Sequence, residues 1–149
     1  MYYLLLSFLL GWTAAPTPPA LAGRWAVRQI YFEARRPLPD SLQEQLMDSP
    51  VGDTNAALKH GEQTMVVTFL PDSTYRYVLS RYGQPTWQEQ GRYAIRHGVL
   101  RAHTTDARTT SALDGQRIVK LTRRELRLEQ PIWQPAQQVF QQTQYQRLR

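Results

Sequence analysis

Apolar and polar residues alternate with a period of two in eight separate segments of this chain, and this pattern limits the choice of fold more than any other feature. In the segment TYRYVLSR, residues 74–81, the side chains of Tyr75, Tyr77 and Leu79 fall on every second position. Successive side chains of a β-strand point to opposite faces, so each segment is predicted to be a strand with one buried face. The eight predicted strands are residues 24–32, 64–70, 74–81, 86–95, 99–104, 116–121, 125–130 and 139–148.

Eight strands in sequence order predict an antiparallel up-and-down barrel. Tight turns are predicted at residues 71–73, 96–98 and 122–124, and they alternate with mostly longer connections. Alternate connections of such a barrel lie at opposite ends, so one end carries turns and the other carries loops. An eight-stranded barrel holds its own side chains or one small ligand, and closure leaves no free sheet edge. The expected fold class is all-β, in one domain of residues 23–149.

The longest connection, residues 34–63, predicts a short helical insert between the first two strands. Ser41 and Glu44 have the spacing of a capping box. Residues 55–60 followed by Gly61 predict a second helical turn that ends at a glycine. An apolar stripe on the first helix would consist of Leu42, Leu46 and Met47. The insert belongs to the loop-bearing end, where it could act as a lid over the mouth of the barrel.

The first 22 residues predict a cleaved signal peptide. They contain no charged side chain, and residues 3–12 form a continuous apolar run. Such a run matches the core of a secretory signal and is too short for a helix that crosses a bilayer of about 30 Å. Ala20 and Ala22 supply the small residues that signal peptidase requires, so the mature chain is expected to begin at Gly23. Cleavage after Ala15, or an uncleaved apolar tail that packs or anchors, are the alternatives.

Cysteine is absent from the 149 residues, which excludes disulfides, cysteine metal sites and a lipid-modified N-terminal cysteine. The formal net charge is +6, and lysine occurs only at Lys59 and Lys120. A basic balance favours anionic partners, but most of the arginines stand singly, no longer basic run occurs, and no RNA-binding motif is found. We therefore expect no nucleic-acid partner and, after signal cleavage, no membrane span. Adhesion to anionic surfaces through arginine is an alternative, and it predicts binding that weakens steeply with salt.

Four short motifs occur together in a characteristic order and spacing. They are Gly23-x-Trp25 in the first strand, Phe69-x-x-Asp72-x-Thr74-Tyr75 at the first hairpin, Gly91-x-Tyr93 in the fourth strand and Leu121-Thr122-x-x-x-Leu126 at the sixth-to-seventh hairpin. With the eight-strand pattern, they make residues 23–149 resemble the lipocalins, and more closely the compact bacterial lipocalin-like domains with a calycin-type barrel. The chain departs from the lipocalin pattern where Thr122-Arg123-Arg124 replaces that family's Thr-Asp-Tyr motif.

The resemblance implies an arginine near the end of the last strand that stacks on the first-strand tryptophan and closes the barrel floor. Arg147 is the matching position for a contact with Trp25, next to Gly23, and Arg149 is the alternative. A cation–π contact of this kind contributes about 0.5–2 kcal/mol. We expect the role of these residues to be structural.

If Trp25 points into the barrel, alternation places a set of further side chains inside, barring a bulge. On the first four strands these are Val27, Gln29, Tyr31, Met65, Val67, Phe69, Tyr75, Tyr77, Leu79, Trp87, Tyr93 and Ile95. On the later strands they are Leu100, Val119, Leu121, Leu126 and Leu128. Such residues either fill the core or, toward the mouth, line an apolar pocket with a few polar groups.

The candidate ligand-binding residues are taken from this inward set and from the predicted loops. The candidates at the mouth are Tyr31, Leu79, Tyr82, Trp87 and Trp133, and those that would supply polar groups are Gln29, Tyr77 and Tyr93. Trp133 lies in a loop between two prolines, where it would either act as a lid residue or cover the barrel rim.

Motifs for catalysis or metal binding are not found in the sequence. His60, His97 and His103 lie far apart and lack metal-ligand spacing, and neither a glycine-rich phosphate loop nor a Gly-x-Ser-x-Gly nucleophile motif occurs. We expect no enzyme activity, no cofactor and no metal. The expected function is reversible binding of a small hydrophobic or amphipathic molecule in the barrel of an exported protein, in the periplasm or outside the cell. The alternative is a filled barrel that serves as an envelope scaffold or protein-interaction module.

Overall fold

The eight predicted strands close into one antiparallel barrel whose neighbours follow the sequence order. The computed structural model describes residues 21–106, 108–132 and 138–149. The strands are β1 (Gly23–Ala34), β2 (Gln63–Phe69), β3 (Thr74–Arg81), β4 (Gln84–Arg96), β5 (Val99–Thr104), β6 (Arg117–Leu121), β7 (Glu125–Ile132) and β8 (Val139–Arg147). The prediction of an all-β up-and-down barrel is confirmed. β4 begins earlier than predicted, so Tyr82 and Gly83 alone join it to β3.

Two helices, α1 (Asp40–Met47) and α2 (Val51–His60), form the insert between β1 and β2. The predicted capping box is wrong, because α1 already begins at Asp40 and Pro39 occupies the capping position without a side-chain hydrogen bond. Met47 is 83% exposed at the end of α1, so it does not share a buried stripe with Leu42. Gly61 ends α2 at φ 74°, the left-handed conformation expected of a terminal glycine.

Helix α2 fills a gap in the barrel wall. β1 pairs with β2 only over its first residues, from Gly23 to Ala26. Beyond that point, Asn55 of α2 takes the place of a strand neighbour. Its Oδ1 accepts the backbone N–H of Ile30 at 2.9 Å, and its Nδ2 donates to the carbonyl oxygen of Ile30 at 2.7 Å. Because α2 also packs on β2, this helix of the insert is part of the wall.

The connection from β5 to β6 fills a second gap. β5 and β6 share only the pair Val99–Arg117. The connection bonds to β5 instead: the Gly115 N–H donates to the Leu100 oxygen at 2.9 Å, and Asp114 Oδ1 accepts the Ala102 N–H at 3.0 Å. This path carries Leu113, which is fully buried, into the core.

Bulky side chains occupy the interior of the barrel. Tyr77 and Tyr145 are buried, and burial raises the pKa of both hydroxyls. The rings of Phe69 and Tyr93 meet edge-on, with centroids 4.9 Å apart. The buried apolar core consists of Leu21, Trp25, Val27, Ile30, Val67, Phe69, Tyr75, Tyr77, Tyr93, Leu100, Ala102, Leu113, Leu126, Leu128 and Tyr145. The predicted inward residues Met65, Ile95 and Leu121 are partly buried against this core.

A β-bulge in β1 reverses which of its side chains face the core. The register of β1 against β8 shifts between Val27 and Gln29, and Ile30 packs in the core in place of Gln29. Gln29 is exposed, and Tyr31, the neighbour of Ile30, is half-buried on the outer face. The predictions that Gln29 and Tyr31 face the interior are therefore wrong, because a bulge adds one residue that strict alternation does not count.

A second bulge has the same effect in β6. Its register against β7 shifts between Ile118 and Lys120, and Ile118 packs against the core. Val119 is 38% exposed. The prediction of an inward Val119 is wrong for the same physical reason.

The floor of the barrel includes two residues that precede the predicted domain. Leu21 is fully buried, and its carbonyl oxygen accepts the indole N–H of Trp25 at 2.8 Å. The carbonyl oxygen of Ala22 accepts Nη1 of Arg147 at 2.7 Å. A β-carbon on Gly23 would collide with the same guanidinium group, and the φ of 138° at this position is a conformation that favours glycine. The rest of the predicted signal peptide, residues 1–20, lies outside the described residues.

Candidate functional site

A cleft of about 520 Å³ opens at the loop-bearing end, between β4 and the connection from β5 to β6. Its lining residues are Arg76, Trp87, Gln88, Glu89, Gln90, Thr104, Thr105, Asp106, Thr109 and Thr110. All of them except Trp87 are polar. The volume is in the range of sites for small molecules, which is about 300–1,000 Å³.

The cleft exists because β4 is longer than β5. β4 has 13 residues and β5 has six, and their pairing stops at Gly91 and Thr104. The Thr105 N–H then donates to the Gln90 oxygen at 2.9 Å before the chain turns away. Beyond this bond, the side of β4 that faces away from β3 borders the cleft.

Trp87 forms the apolar side of the cleft. It lies opposite Leu79 in the register of β3 and β4 and is 43% exposed. The Tyr77 ring meets it edge-on, with centroids 5.6 Å apart and planes at 85°. Since Tyr77 is buried in the core, this contact gives a half-exposed aromatic ring a rigid support.

A carboxylate network forms the floor of the cleft. Glu89 Oε1 accepts the hydroxyl of Ser111 at 2.7 Å and lies 3.1 Å from the hydroxyl of Tyr75, which is 2.8 Å from Ser111 Oγ. Glu89 Oε2 accepts the Ala112 N–H at 3.2 Å. Burial raises the pKa of Tyr75 to about 12, and the negative charge of Glu89 adds to the effect. The phenol therefore stays protonated, and the network holds the β5–β6 connection against β4.

The polar lining of the cleft combines one cation with two anions. Arg76 Nη2 donates to Gln88 Oε1 at 3.1 Å, and the carboxylates belong to Glu89 and Asp106. Of the described residues that line the cleft, Gln90 and Thr110 direct no side-chain hydrogen bond to another described residue. Their amide and hydroxyl groups are free to bond a ligand.

A smaller cleft of about 390 Å³ lies between α2 and the β3–β4 turn. Its lining residues are Pro50, Asp53, Thr54, Ala57, Glu62, Gln63, Arg81 and Tyr82. Tyr82 is 77% exposed, and its N–H donates to the Glu62 oxygen at 2.8 Å. This bond ties the end of the insert to the β3–β4 turn.

The structure disperses the residues that were predicted to bind a ligand. Trp87 lies in the larger cleft with Leu79 beside it, and Tyr82 lies in the smaller one. Tyr77 and Tyr93 are buried, and the Tyr93 hydroxyl donates to the Leu70 oxygen at 2.9 Å. Their part in ligand binding stays a prediction. Gln29 and Tyr31 lie on the outer face, and Trp133 lies outside the described residues.

Sequence reasoning missed a polar cluster around Glu129 on the outer face of β7. Glu129 is 1% exposed, and its two oxygens accept Arg35 Nη2 at 2.9 and 2.8 Å. It also accepts Arg117 and, at 2.8 Å, Gln142. Gln142 in turn accepts the Tyr31 hydroxyl at 2.7 Å. The only sequence signal was a glutamate within a predicted strand, because its partners come from β6, from β8 and from Arg35, which directly follows β1.

The electrostatics of this cluster favour the ionised carboxylate. Burial by itself raises the pKa of Glu129, but the hydrogen bonds and charges of Arg117, Gln142 and Arg35 outweigh it, so the pKa is lowered overall. Arg35 also lies over the Phe140 ring, with its guanidinium carbon 4.0 Å from the centroid. The cluster therefore joins β6, β7, β8 and β1 across the outside of the barrel.

No protein-family model and no curated protein matches the chain. The established result is thus the architecture, an eight-stranded antiparallel barrel compatible with a calycin-like fold. Among residues 21–106, 108–132 and 138–149, no three or more histidine, aspartate or glutamate side chains form a group that could hold a metal ion. In the same part of the chain, no helix has both the length and the apolar composition needed to cross a membrane.

Proposed function

We propose that this protein is a lipocalin-like, exported binding protein that takes up a small amphipathic molecule reversibly at the open end of its barrel. The single observation that carries the proposal is Trp87, a half-exposed ring held by Tyr77 at the side of a cleft of about 520 Å³. The remaining lining of that cleft is polar. A ligand with one apolar face and several hydrogen-bonding groups matches this division.

The proposed binding combines apolar burial with hydrogen bonds. Covering the exposed part of the Trp87 ring contributes about 25 cal/mol per Å² of apolar surface removed from water. Gln90 and Thr110 offer an amide and a hydroxyl that direct no bond to other described residues, so a ligand can use them without breaking existing contacts. No covalent step is involved.

The test begins with native mass spectrometry of the protein purified from its own host. We expect an adduct of a small molecule, whose mass identifies the ligand to be used in titrations. Trp87→Ala is then expected to raise Kd at least about tenfold, since aromatic anchors carry much of the energy of a binding site. Val119→Ala, which truncates an exposed residue of β6, is the matched control and should leave Kd unchanged.

Unchanged affinity of a folded Trp87→Ala variant would contradict the assignment of the cleft. The melting temperature of each variant separates loss of binding from loss of folding. Because Trp87 is 43% exposed, its replacement should lower the melting temperature much less than replacement of a core residue.

Export and membership of a lipocalin-like family are parts of the same proposal. Export rests on the apolar run at residues 3–12, followed by small residues, and the family on the motif order and the closed barrel. Recovery of the protein from the periplasm or the medium, with a shortened N-terminus, would support export. Recovery from the cytoplasm with Met1 intact would refute it.

The filling of the barrel favours a second candidate, a protein-interaction module without a small ligand. Tyr75, Tyr77, Tyr93, Tyr145 and Leu113 occupy the interior together, which leaves the loops and the outer face for contacts. A mass without adduct, together with co-purification of a defined protein partner through the loop-bearing end, would favour this candidate.

A further inference from the structure

The outer face formed by the first four residues of β1 and by β2 to β5 carries arginines and lacks acidic side chains. We define the basic face as the exposed residues Arg24, Arg76, Arg92, Arg96 and Arg101, together with His103. β2, β3 and β5 contain no aspartate or glutamate, and the only one in β4, Glu89, points inward to Ser111. The first four residues of β1 contain none either.

The strand registers place these arginines side by side. Arg24 pairs with Thr68, Thr68 with Arg76, and Arg76 with Gln90, so one row crosses four strands. Arg92 pairs with His103 in an adjacent row. Neighbouring strands lie about 4.8 Å apart, so the guanidinium groups lie close enough to contact one anionic surface together.

Four of these arginines, Arg24, Arg76, Arg92 and Arg101, form no ion pair with another described residue. The nearest acidic residues are at the margins of the face. Asp72 lies in the β2–β3 turn, where it is bonded to Thr74 and its pKa is lowered first by that hydrogen bond and more weakly by Arg92. Asp106 and Asp114 lie in the β5–β6 connection.

The face lacks features that other anionic partners would use. No outward position of β2 to β5 holds phenylalanine, tyrosine or tryptophan, and Trp87 in the adjoining cleft is a single ring, so the face lacks a series of aromatic platforms for the bases of a single-stranded nucleic acid. The apolar residues between the arginines are small, such as Val66, Val78 and Ala94, and cannot insert into a bilayer core. The kind of contact that fits this face is with the charged headgroups of a membrane surface, and several arginines together would provide it.

We propose that the basic face docks the protein onto a membrane surface that contains anionic phospholipids. The argument is charge complementarity, and Arg76 is the only residue of the basic face that also lines the ligand cleft. Each basic side chain close to an anionic membrane contributes about a fivefold change in partitioning. The Debye length falls from about 10 Å at 0.1 M salt to about 3 Å at 1 M, so the association is expected to be reversed by salt.

The test measures co-sedimentation of the full chain with vesicles. One set of vesicles is phosphatidylcholine alone, and the other contains equal parts of phosphatidylcholine and phosphatidylglycerol. The test variant combines Arg76→Gln, Arg92→Gln and Arg101→Gln. The matched control combines Arg123→Gln, Arg124→Gln and Arg149→Gln. It also removes three positive charges, but from exposed positions at the closed end. The apolar segment at residues 3–12 is the same in every chain.

We expect salt-sensitive binding to the mixed vesicles, a loss of about a hundredfold in the test variant, and near-normal binding of the control. Equal losses in both variants would show that net charge alone matters and would overturn the proposal. Binding that does not depend on phosphatidylglycerol would overturn it as well. Tight, Arg76-, Arg92- and Arg101-dependent binding to heparin without binding to the vesicles would assign the face to an acidic polysaccharide instead.

Discussion

The guanidinium carbon of Arg147 lies 4.3 Å from the centroid of the Trp25 ring. These two residues come from the last and first strands and face each other in the register of β8 and β1. Because Trp25 is fully buried, the arginine covers the core at the barrel floor and joins the first and last strands.

Replacing Arg147 should destabilise the barrel. Arg147→Ala removes the cation–π contact and the hydrogen bond to Ala22, at an expected cost of about 1–3 kcal/mol. Arg147→Lys keeps the charge but loses the planar group, so it should recover only part of the stability. Urea unfolding measures both, with Arg149→Ala as the exposed control. Full stability of the Arg147→Lys variant would show that a positive charge alone is sufficient at this position.

The stability of the fold should depend on the amide group of Asn55 more than on the size of its side chain. Asn55→Asp keeps an acceptor for the Ile30 N–H but places a carboxylate against the Ile30 carbonyl oxygen. Asn55→Ala leaves the backbone N–H and carbonyl oxygen of Ile30 without their partner. The expected cost is about 1–3 kcal/mol for each group that water does not reach. We expect both variants to lose stability and to exchange the Ile30 amide proton faster. Unchanged exchange at Ile30 would mean that α2 does not support β1 in solution.

The lowered pKa of Glu129 predicts how the stability of the fold depends on pH. Its pKa is lowered in the folded state relative to the ordinary value of 4.5, so its contribution is complete above that value and is lost as pH falls through the folded-state pKa. Glu129→Gln is expected to cost about 2–4 kcal/mol at pH 7, because Arg35 and Arg117 lose a buried carboxylate partner. The difference between Glu129→Gln and the parent should shrink in unfolding experiments below pH 4.5. A difference independent of pH would exclude the ionised carboxylate as its source.

Two glycines should respond to alanine in opposite ways. A β-carbon on Gly91 would collide with the backbone oxygen of His103 on β5, so Gly91→Ala should open the β4–β5 pairing and destabilise the fold by several kcal/mol. Gly52, in helix α2, has no atom within 4 Å of the added carbon. Gly52→Ala should therefore stabilise the protein by about 0.5–1 kcal/mol. Thermal unfolding of the Gly91→Ala and Gly52→Ala variants measures the effect of the same substitution in two environments.

Leu21 links the fold to processing of the N-terminus. Because Leu21 is fully buried, cleavage after Ala22 would remove part of the core, whereas cleavage after Ala15 would keep it. We expect the mass of the exported chain to include Leu21, and Leu21→Ala to destabilise that chain by about 2–5 kcal/mol. An exported chain that starts at Gly23 and is as stable as a longer one would contradict this.

Much of the barrel could be predicted because strand formation depends on local patterns. The bounds of β3 and β5 agree with the alternation of their residues, and the turn residues lie between the predicted strands. Alternation also identified the interior side chains of β2 and β3. It was wrong at Gln29 and Tyr31, whose faces are shifted by the bulge in β1, and at Val119, which lies at the bulge in β6.

The candidate site was less predictable. Trp87 was chosen because it lies near the end of a strand, and it does border the cleft. Glu89, Ser111 and Leu113 were not chosen, since nothing in a polar stretch of sequence indicates that it turns back into a core. The cleft itself depends on the difference in length between β4 and β5, which alternation does not measure.

The sequence by itself determined which segments become strands, their order and the glycine at the floor, because each of these depends on neighbours in the chain or on the shape of a single residue. Only the tertiary structure decided that Asn55 completes β1, that Leu113 closes the wall beside β5, and that Glu129 joins four strands. These contacts connect residues far apart in the chain, and their geometry depends on the register of the closed barrel. Register is a property of all eight strands together, so no single segment contains it.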